Sequence, residues 1–371
     1  MPACWVRGTS CGTLRAHSPR PEPRRMSERS ESPFDLDALS AWLGQAVTGF
    51  AGPITLQKFK GGQSNPTYAL DTPNKRYVLR SKPGPVAKLL PSAHAIEREF
   101  RVLDALADSE VPVPKVLALC QDEGVIGRMF YLMERVDGRI FWDAALPELD
   151  AAARGPIYAA MNDTIAALHR VVPEQIGLAD YGAAGNYFER QIHRWSKQYR
   201  ASETQTIEAM EQLIEWLPGA MPADEEARIV HGDFRIDNLV FHPSEPRVIA
   251  VLDWELSTLG HPLADFAYHC LAWFTPPGIM RGIAGLPIAN LGLPSLESYI
   301  ADYCQKTGRQ AGIPDLNFYL AYNLFRLAGI AQGIAKRAEQ GTASSAKALE
   351  TGALARPVAE LGWRIAQGHM H

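Results

Sequence analysis

Asp233 and Asn238 stand five positions apart in the stretch HGDFRIDNLVF, residues 231 to 241. Apolar runs flank them, Ile229-Val230 before and Leu239-Val240-Phe241 after. A further apolar run, residues 248 to 252, delivers a second carboxylate, Asp253, followed by Trp254 and Glu255. The turn-rich segment His242-Pro243-Ser244-Glu245-Pro246 joins the two runs, so they read as a β-hairpin with Asp233, Asn238 and Asp253 at one end. Such a set suits phosphoryl transfer. That reaction asks for a metal ion to bridge phosphate oxygens and a carboxylate to orient a hydroxyl and accept its proton. Asn238 and Asp253 offer the hard oxygen donors that Mg2+ prefers, which leaves Asp233 as the base. The competing reading is a polar hairpin tip on the surface.

The spacing His-x-Asp-x-x-x-x-Asn, with a strand and a second Asp after it, is that of the kinase catalytic loop. HGDFRIDNLVF followed by VLDWELSTLGHPLADFAY resembles the aminoglycoside phosphotransferase / choline kinase superfamily. Within it, the sequence is similar to the branch of kinase-like domains fused to acyl-CoA dehydrogenases. The similarity runs from about Phe34 onward. It implies an α+β, bilobal, protein-kinase-like fold with a small β-rich N-lobe (residues 34–138) and a larger, mainly helical C-lobe (139–371). It implies ATP and Mg2+ as cofactors and a small-molecule hydroxyl as acceptor. By the same resemblance, Asp265 receives backbone N–H groups of the catalytic loop, and His231 packs under the metal-binding Asp. The family often has Asp where this chain has His261, and nothing catalytic is assigned there.

Other elements must position these groups. A strand over residues 54 to 60 and another from Thr67 flank the polar turn Gly61-Gly62-Gln63-Ser64-Asn65, whose small residues, Gly62 and Ser64 among them, would let backbone N–H groups approach phosphates. The strand Tyr77-Val78-Leu79-Arg80 occupies the slot of the kinase V-A-I-K lysine, with Arg80 in that register and Lys82 two further on. Either could meet the nucleotide; Arg80 is the choice here, because Arg can bind phosphate bidentately. A helix over residues 93 to 107 is apolar at Ile96, Phe100, Leu103 and Ala107. Glu99 falls inside that apolar arc and Glu97 outside it, so Glu99 is the carboxylate that must pair with Arg80 or Lys82. The backbone of Glu134 and Val136, at the end of a strand over residues 129 to 134, stands by resemblance where adenine would bind.

Beyond Arg139 the chain reads as helical. The helix over residues 186 to 200 carries Arg190, His193, Arg194, Lys197 and Arg200 on one side. A solvated surface face is one reading of that stripe; a wall for an anionic or acyl-carrier acceptor is the other. Residues 274 to 295, rich in Gly and Pro, read as a lid or a surface connector. The helix over residues 316 to 338 is apolar on most sides, so Arg326 within it must be paired or face a cavity, with a core ion pair the first choice. A last helix is expected over residues 345 to 367.

The net charge of −4 argues against a nucleic-acid partner. No apolar run is clean enough to span a bilayer. Five scattered cysteines without a C-x-x-C pair suggest free thiols in a reducing, cytoplasmic setting. Residues 1 to 33, rich in Arg, Ser and Pro, read as a disordered tail, with Met26 as the start. Neither A-P-E nor an activation loop with a phosphosite is apparent, which points to a small-molecule kinase over a protein kinase, and no Walker A, H-E-x-x-H or G-x-S-x-G motif offers a rival reading. Possible acceptors are a hydroxyacyl-CoA or hydroxy acid, an aminoglycoside, or a choline-like alcohol, with a functional link to acyl-CoA dehydrogenase. A nucleotide-binding pseudokinase that regulates a partner is the alternative.

Overall fold

A computed structural model of the protein describes residues 33–59, 65–84, 95–183, 185–342 and 347–369. The expected tail, with Met26, falls almost wholly outside them. Helix α1 (Leu36–Ala46) starts where the sequence supplies an oxygen for its free amides. Asp35 Oδ1 accepts the N–H groups of Asp37 and Ala38, each at 3.0 Å.

Five strands follow: β1 (Thr55–Lys58), β2 (Thr67–Asp71), β3 (Arg76–Ser81), β4 (Val116–Cys120) and β5 (Phe130–Glu134). They form one antiparallel sheet in the order β1-β2-β3-β5-β4. Side chains alternate across a strand, so each strand serves two neighbourhoods. Tyr77, Leu79, Phe130 and Leu132 pack with Leu39 and Leu43 of α1. Val78, Arg80, Tyr131 and Met133 point the other way and line a cleft. Helix α2 (Ile96–Leu106) lies on that inner side and buries Ile96, Glu99, Val102, Leu103 and Leu106. The helical period that seats four apolar residues thus carries Glu99 in with them.

The rest is mainly helical: α3 (Ala151–Arg170), α4 (Tyr187–Ser202), α5 (Glu208–Gly219), α6 (Pro262–Cys270), α7 (Leu296–Thr307), α8 (Leu316–Glu339), α9 (Ala348–Ala353) and α10 (Ala355–Ala366). Helix α8 is the centre, packed against α4, α6, α9 and α10. The single last helix expected is two, broken at Leu354. Pro357 has no N–H to bond the carbonyl of Ala353, which interrupts the ladder there.

Two short ribbons set the polar loops. Strand β7 (Leu239–Phe241) pairs with β8 (Val248–Val251), which is the expected hairpin. Strand β6 (Arg228–Val230) pairs with β9 (Thr258–Gly260). The segment 231–238 leaves β6 and enters β7, while 252–257 leaves β8 and enters β9. Two pairings between the same four strands therefore hold the two segments side by side. The chain crosses from sheet to helices at Gly138, where a Cβ would stand 2.2 Å from Phe241 O. Only glycine allows that approach. Among the described residues no helix is long and apolar enough to cross a membrane, and Cys120, Cys270 and Cys304 are free and buried.

Candidate active site

The loop after β6 is held from below by one carboxylate. Asp265, near the start of α6, accepts the N–H groups of His231 (2.7 Å) and Gly232 (2.8 Å), with His169 Nε2 at 3.3 Å. Burial works against its charge, but the histidines and the backbone donors outweigh it and hold its carboxyl below the usual range. Gly232 has φ +81°, and a Cβ there would meet Leu256 O at 2.8 Å, so glycine is required twice over. His231 Nδ1 accepts the Asp233 N–H (3.2 Å), and its Nε2–H donates to Leu252 O (2.9 Å). The imidazole thus ties the first loop to the residue before Asp253, a structural part as the resemblance implied. Asn238 O accepts the Leu252 N–H at 2.8 Å and tightens the same junction.

These ties bring Asp233, Asn238 and Asp253 to one place. Asn238 Nδ2 donates to Asp233 O (2.9 Å) and Asp233 Oδ2 (3.2 Å). Its Oδ1 takes part in no hydrogen bond among the described residues, and Asn238 lines the cleft together with Asp253. Asp253 is held in the left-handed region, φ 66°, which costs a non-glycine residue about 1 kcal/mol. One free amide oxygen beside one carboxylate fits Mg2+, which keeps most of its ligands as water and phosphate. No cluster of three or more His, Cys, Asp or Glu able to hold a metal occurs among the described residues.

On the sheet side the choice between two cations resolves. Arg80 Nε lies 2.6 Å from Glu99 Oε2, and Arg80 Nη2 lies 2.7 Å from Asp253 Oδ1 and 3.4 Å from Glu255 Oε2. Lys82 turns away to Glu97 (3.2 Å). Glu99 also accepts from Asn65 Nδ2 (2.6 Å) and the Tyr131 hydroxyl (3.2 Å). Burial pushes the Glu99 carboxyl up, and Arg80 pulls it back without cancelling the rise. For Arg80, burial opposes the charge, but Glu99 and the other negative groups win and raise its value.

The cleft these groups share has a volume of about 410 Å3 and is lined by Val78, Met133, Ile140, Val240 and Trp254 as well as by Arg80, Glu99, Asn238 and Asp253. That lies within the usual range for small-molecule pockets. Glu134 and Val136 form part of its edge. The Glu134 N–H is already given to Lys115 O (2.9 Å), so only its carbonyl could meet a base. The Val136 N–H makes no hydrogen bond among the described residues. Gly62 and Ser64 lie outside the described residues.

Several residues around Asp233 carry no signal of their own in the sequence. Tyr268, on α6, donates its hydroxyl to Asp233 Oδ1 at 2.5 Å. Arg235 Nη2 donates to Asp233 Oδ2 (2.9 Å), and Arg281 Nη2 lies 2.7 Å from Asp237 Oδ2. Arg326 corrects an expectation. It has no carboxylate within 4.0 Å among the described residues; its Nη2 donates to Gly232 O (2.8 Å), and its guanidinium lies over the rings of Trp195 and Tyr268. A neutral carbonyl and two aromatic faces replace the ion pair, which spares the cost of a second buried charge. The basic stripe of α4 is largely solvated: His193, Arg194, Lys197 and Arg200 are exposed, and Arg200 pairs with Glu211. The cations beside Asp233 come from Arg235, Arg281 and Arg326 instead.

Comparisons with known proteins bear on the family and the fold. Residues 55–311 match the profile of the phosphotransferase enzyme family, APH. Acyl-CoA dehydrogenase family member 10 of Mus musculus is 47% identical over 347 residues, 93% of this chain, and the chain spans only 32% of that relative's length. A crystal structure of a provisionally assigned aminoglycoside phosphotransferase from Ralstonia eutropha JMP134 is 57% identical, with a TM-score of 0.83 over 90% of this chain and 99% of that one. A thermostable mutant of the aminoglycoside phosphotransferase APH(4)-Ia, in complex with AMP-PNP and hygromycin B, shares the fold at 17% identity, with a TM-score of 0.59 over 88% of this chain and 98% of that one. The α+β, kinase-like fold and the resemblance to the domains of the acyl-CoA dehydrogenase relatives are both borne out.

Proposed function

The chain belongs to the phosphotransferase enzyme family, and from that premise we propose that it moves the γ-phosphate of ATP to a hydroxyl of a small molecule. The observation that carries the reading is that Asn238, Asp253 and Arg80 line one cleft, with Asp233 hydrogen-bonded to Asn238. Asp233 accepts the proton of the acceptor hydroxyl as its oxygen bonds the γ-phosphorus and the bond to the ADP oxygen breaks. Asn238 Oδ1 and the Asp253 carboxylate would hold Mg2+, which supplies charge neutralisation for the phosphates. Arg80, steadied by Glu99, faces the phosphates with a charge that cannot be lost by deprotonation. AMP-PNP bound by APH(4)-Ia supports the nucleotide. That the sequence keeps Asp233, Asn238 and Asp253, with an Arg at the lysine position, supports an enzyme over a pseudokinase.

The acceptor is an anion in this reading, with a hydroxyacyl-CoA or a hydroxy acid as the first choice. Arg235 and Arg281 line a small pocket next to Asp233, about 30 Å3 in volume as it stands, whose walls include Tyr158, Met161, Leu271 and Met280. Two arginines over an apolar wall repel a polycation and suit an acid with a carbon chain. Similarity to part of the acyl-CoA dehydrogenase relatives supports an acceptor from acyl-CoA chemistry. The test is Mg2+-dependent ATP turnover across a panel of hydroxy acids, hydroxyacyl-CoA esters, aminoglycosides and choline. Asp233→Asn should lower the rate by about 10²–10⁴. Equal turnover by both proteins, or preference for an aminoglycoside, would overturn the corresponding half of the proposal.

A further inference from the structure

Asp233, on the phosphotransferase reading from which this inference starts, must offer a lone pair to the acceptor hydroxyl. In the structure three of its acceptor sites are bonded and Arg235 Nε stands over the fourth. A carboxylate presents about four acceptor sites. Oδ1 meets the Tyr268 hydroxyl (2.5 Å) and Arg235 Nε (2.9 Å, near but not aligned as a hydrogen bond). Oδ2 meets Arg235 Nη2 (2.9 Å) and Asn238 Nδ2 (3.2 Å). Whatever crowds that fourth site has to move before a substrate hydroxyl can enter.

The surroundings decide which. Tyr268 is buried, with Arg326 over its ring. Asn238 Nδ2 is also bonded to the Asp233 carbonyl (2.9 Å), so it stays if the loop stays. Arg235 is a long side chain, 30% exposed, on the rim of the pocket beside Asp233. It also has somewhere to go. Asp237 Oδ2 is 3.7 Å from Arg235 Nη2, and Asp237 Oδ1 is buried without a hydrogen-bond partner. Arg281 already holds Asp237 Oδ2, from a backbone in the left-handed region at φ 58°.

We propose that Arg235 is a positioning residue that covers Asp233 while the acceptor pocket is empty and swings to Asp237 and to the acceptor's anionic group when it fills. Covered, Asp233 cannot take a proton from water, so ATP is not hydrolysed in the acceptor's absence. Uncovered, it faces the acceptor hydroxyl. Arg235 thereby couples recognition of the anion to exposure of the base.

The experiment is phosphate release from Mg2+·ATP without acceptor, using the full chain, with binding of a fluorescent ATP analogue measured in parallel. Arg235→Gln should release phosphate about tenfold faster than the wild type, a small part of the 10²–10⁴ that a positioned base contributes. Arg235→Lys, which keeps the charge but not the two-pronged contact, should fall between. Adding Asp233→Asn to Arg235→Gln should return release to the wild-type level, a dependence that a general loosening of the fold would not show. With an anionic acceptor, Arg235→Gln should raise KM more than it lowers kcat. Phosphate release by Arg235→Gln and Arg235→Lys no faster than the wild type, with analogue binding intact, overturns the inference. Failure of the wild type itself to bind the analogue overturns the phosphotransferase reading and takes this inference with it.

Discussion

Replacing Arg80 with Met would strand Glu99 beneath the sheet. The Glu99 side chain is 3% exposed and that of Arg80 11%, so their contact at 2.6 Å is a buried pair. Removing one partner of such a pair costs about 3–5 kcal/mol, because the other charge is left without compensation. Glu99 would keep two neutral donors, Asn65 Nδ2 and the Tyr131 hydroxyl, which places the expected loss near the lower end, about 3 kcal/mol. Asp253, at 38% exposure, rehydrates and adds under about 1 kcal/mol. Glu99→Gln alone should cost less, since Arg80 retains Asp253 and Glu255. The double variant should then recover about 2 kcal/mol relative to additivity. Urea unfolding of the four proteins at pH 7 measures the cycle. The pH dependence adds a second check. Burial already holds the Glu99 carboxyl above the usual range, and without Arg80 nothing cationic pulls it back. A carboxyl whose folded value exceeds its unfolded value favours the folded state at low pH. The Arg80→Met deficit should therefore shrink as pH falls through the raised Glu99 value towards the ordinary carboxylate range. Additive single changes, or a deficit that ignores pH, would refute the claim that Arg80 and Glu99 act as one unit.

Two further outcomes bear on the fold. Gly138→Ala puts a Cβ 2.2 Å from Phe241 O and should cost about 1–3 kcal/mol through forced displacement of the crossing, whereas Gly44→Ala, with nothing within 4 Å on helix α1, should gain about 0.5–1 kcal/mol; thermal unfolding of the two variants gives the signs. Burial holds the His269 imidazole down to about 4 from the ordinary 6.5, so its contribution is full above pH 6.5 and is lost as pH falls towards 4, at most roughly 3 kcal/mol. His269→Gln should flatten unfolding free energy against pH in that window, and an unchanged slope would show that another group titrates there.

Much of the site was legible before any coordinates. The hairpin, the placement of Glu99 inside the arc of α2 and the alternation that turns Arg80 inward follow from periods of 2 and 3.6, which are properties of neighbouring residues. So does the separation of Glu97 from Glu99. What the sequence left open was a matter of distance in three dimensions. Arg80 and Lys82 sit two positions apart, and only the packing of α2 against the sheet assigns one to Glu99 and the other to Glu97. Arg326 looked like half of an ion pair because an isolated helix shows its charge and not its company; the company is Gly232 O and two rings from other elements.

The amino-acid order alone therefore determined the chemistry on offer, two carboxylates and an amide at fixed spacings between strands, because local period and turn residues decide which elements form. The tertiary structure decided how that chemistry is held and covered. Tyr268 lies 35 residues from Asp233 and Arg281 lies 44 from Asp237, counted along the chain. No local rule links positions so far apart; they meet because burying the apolar faces of α6 and its neighbours leaves one arrangement in which their polar ends converge.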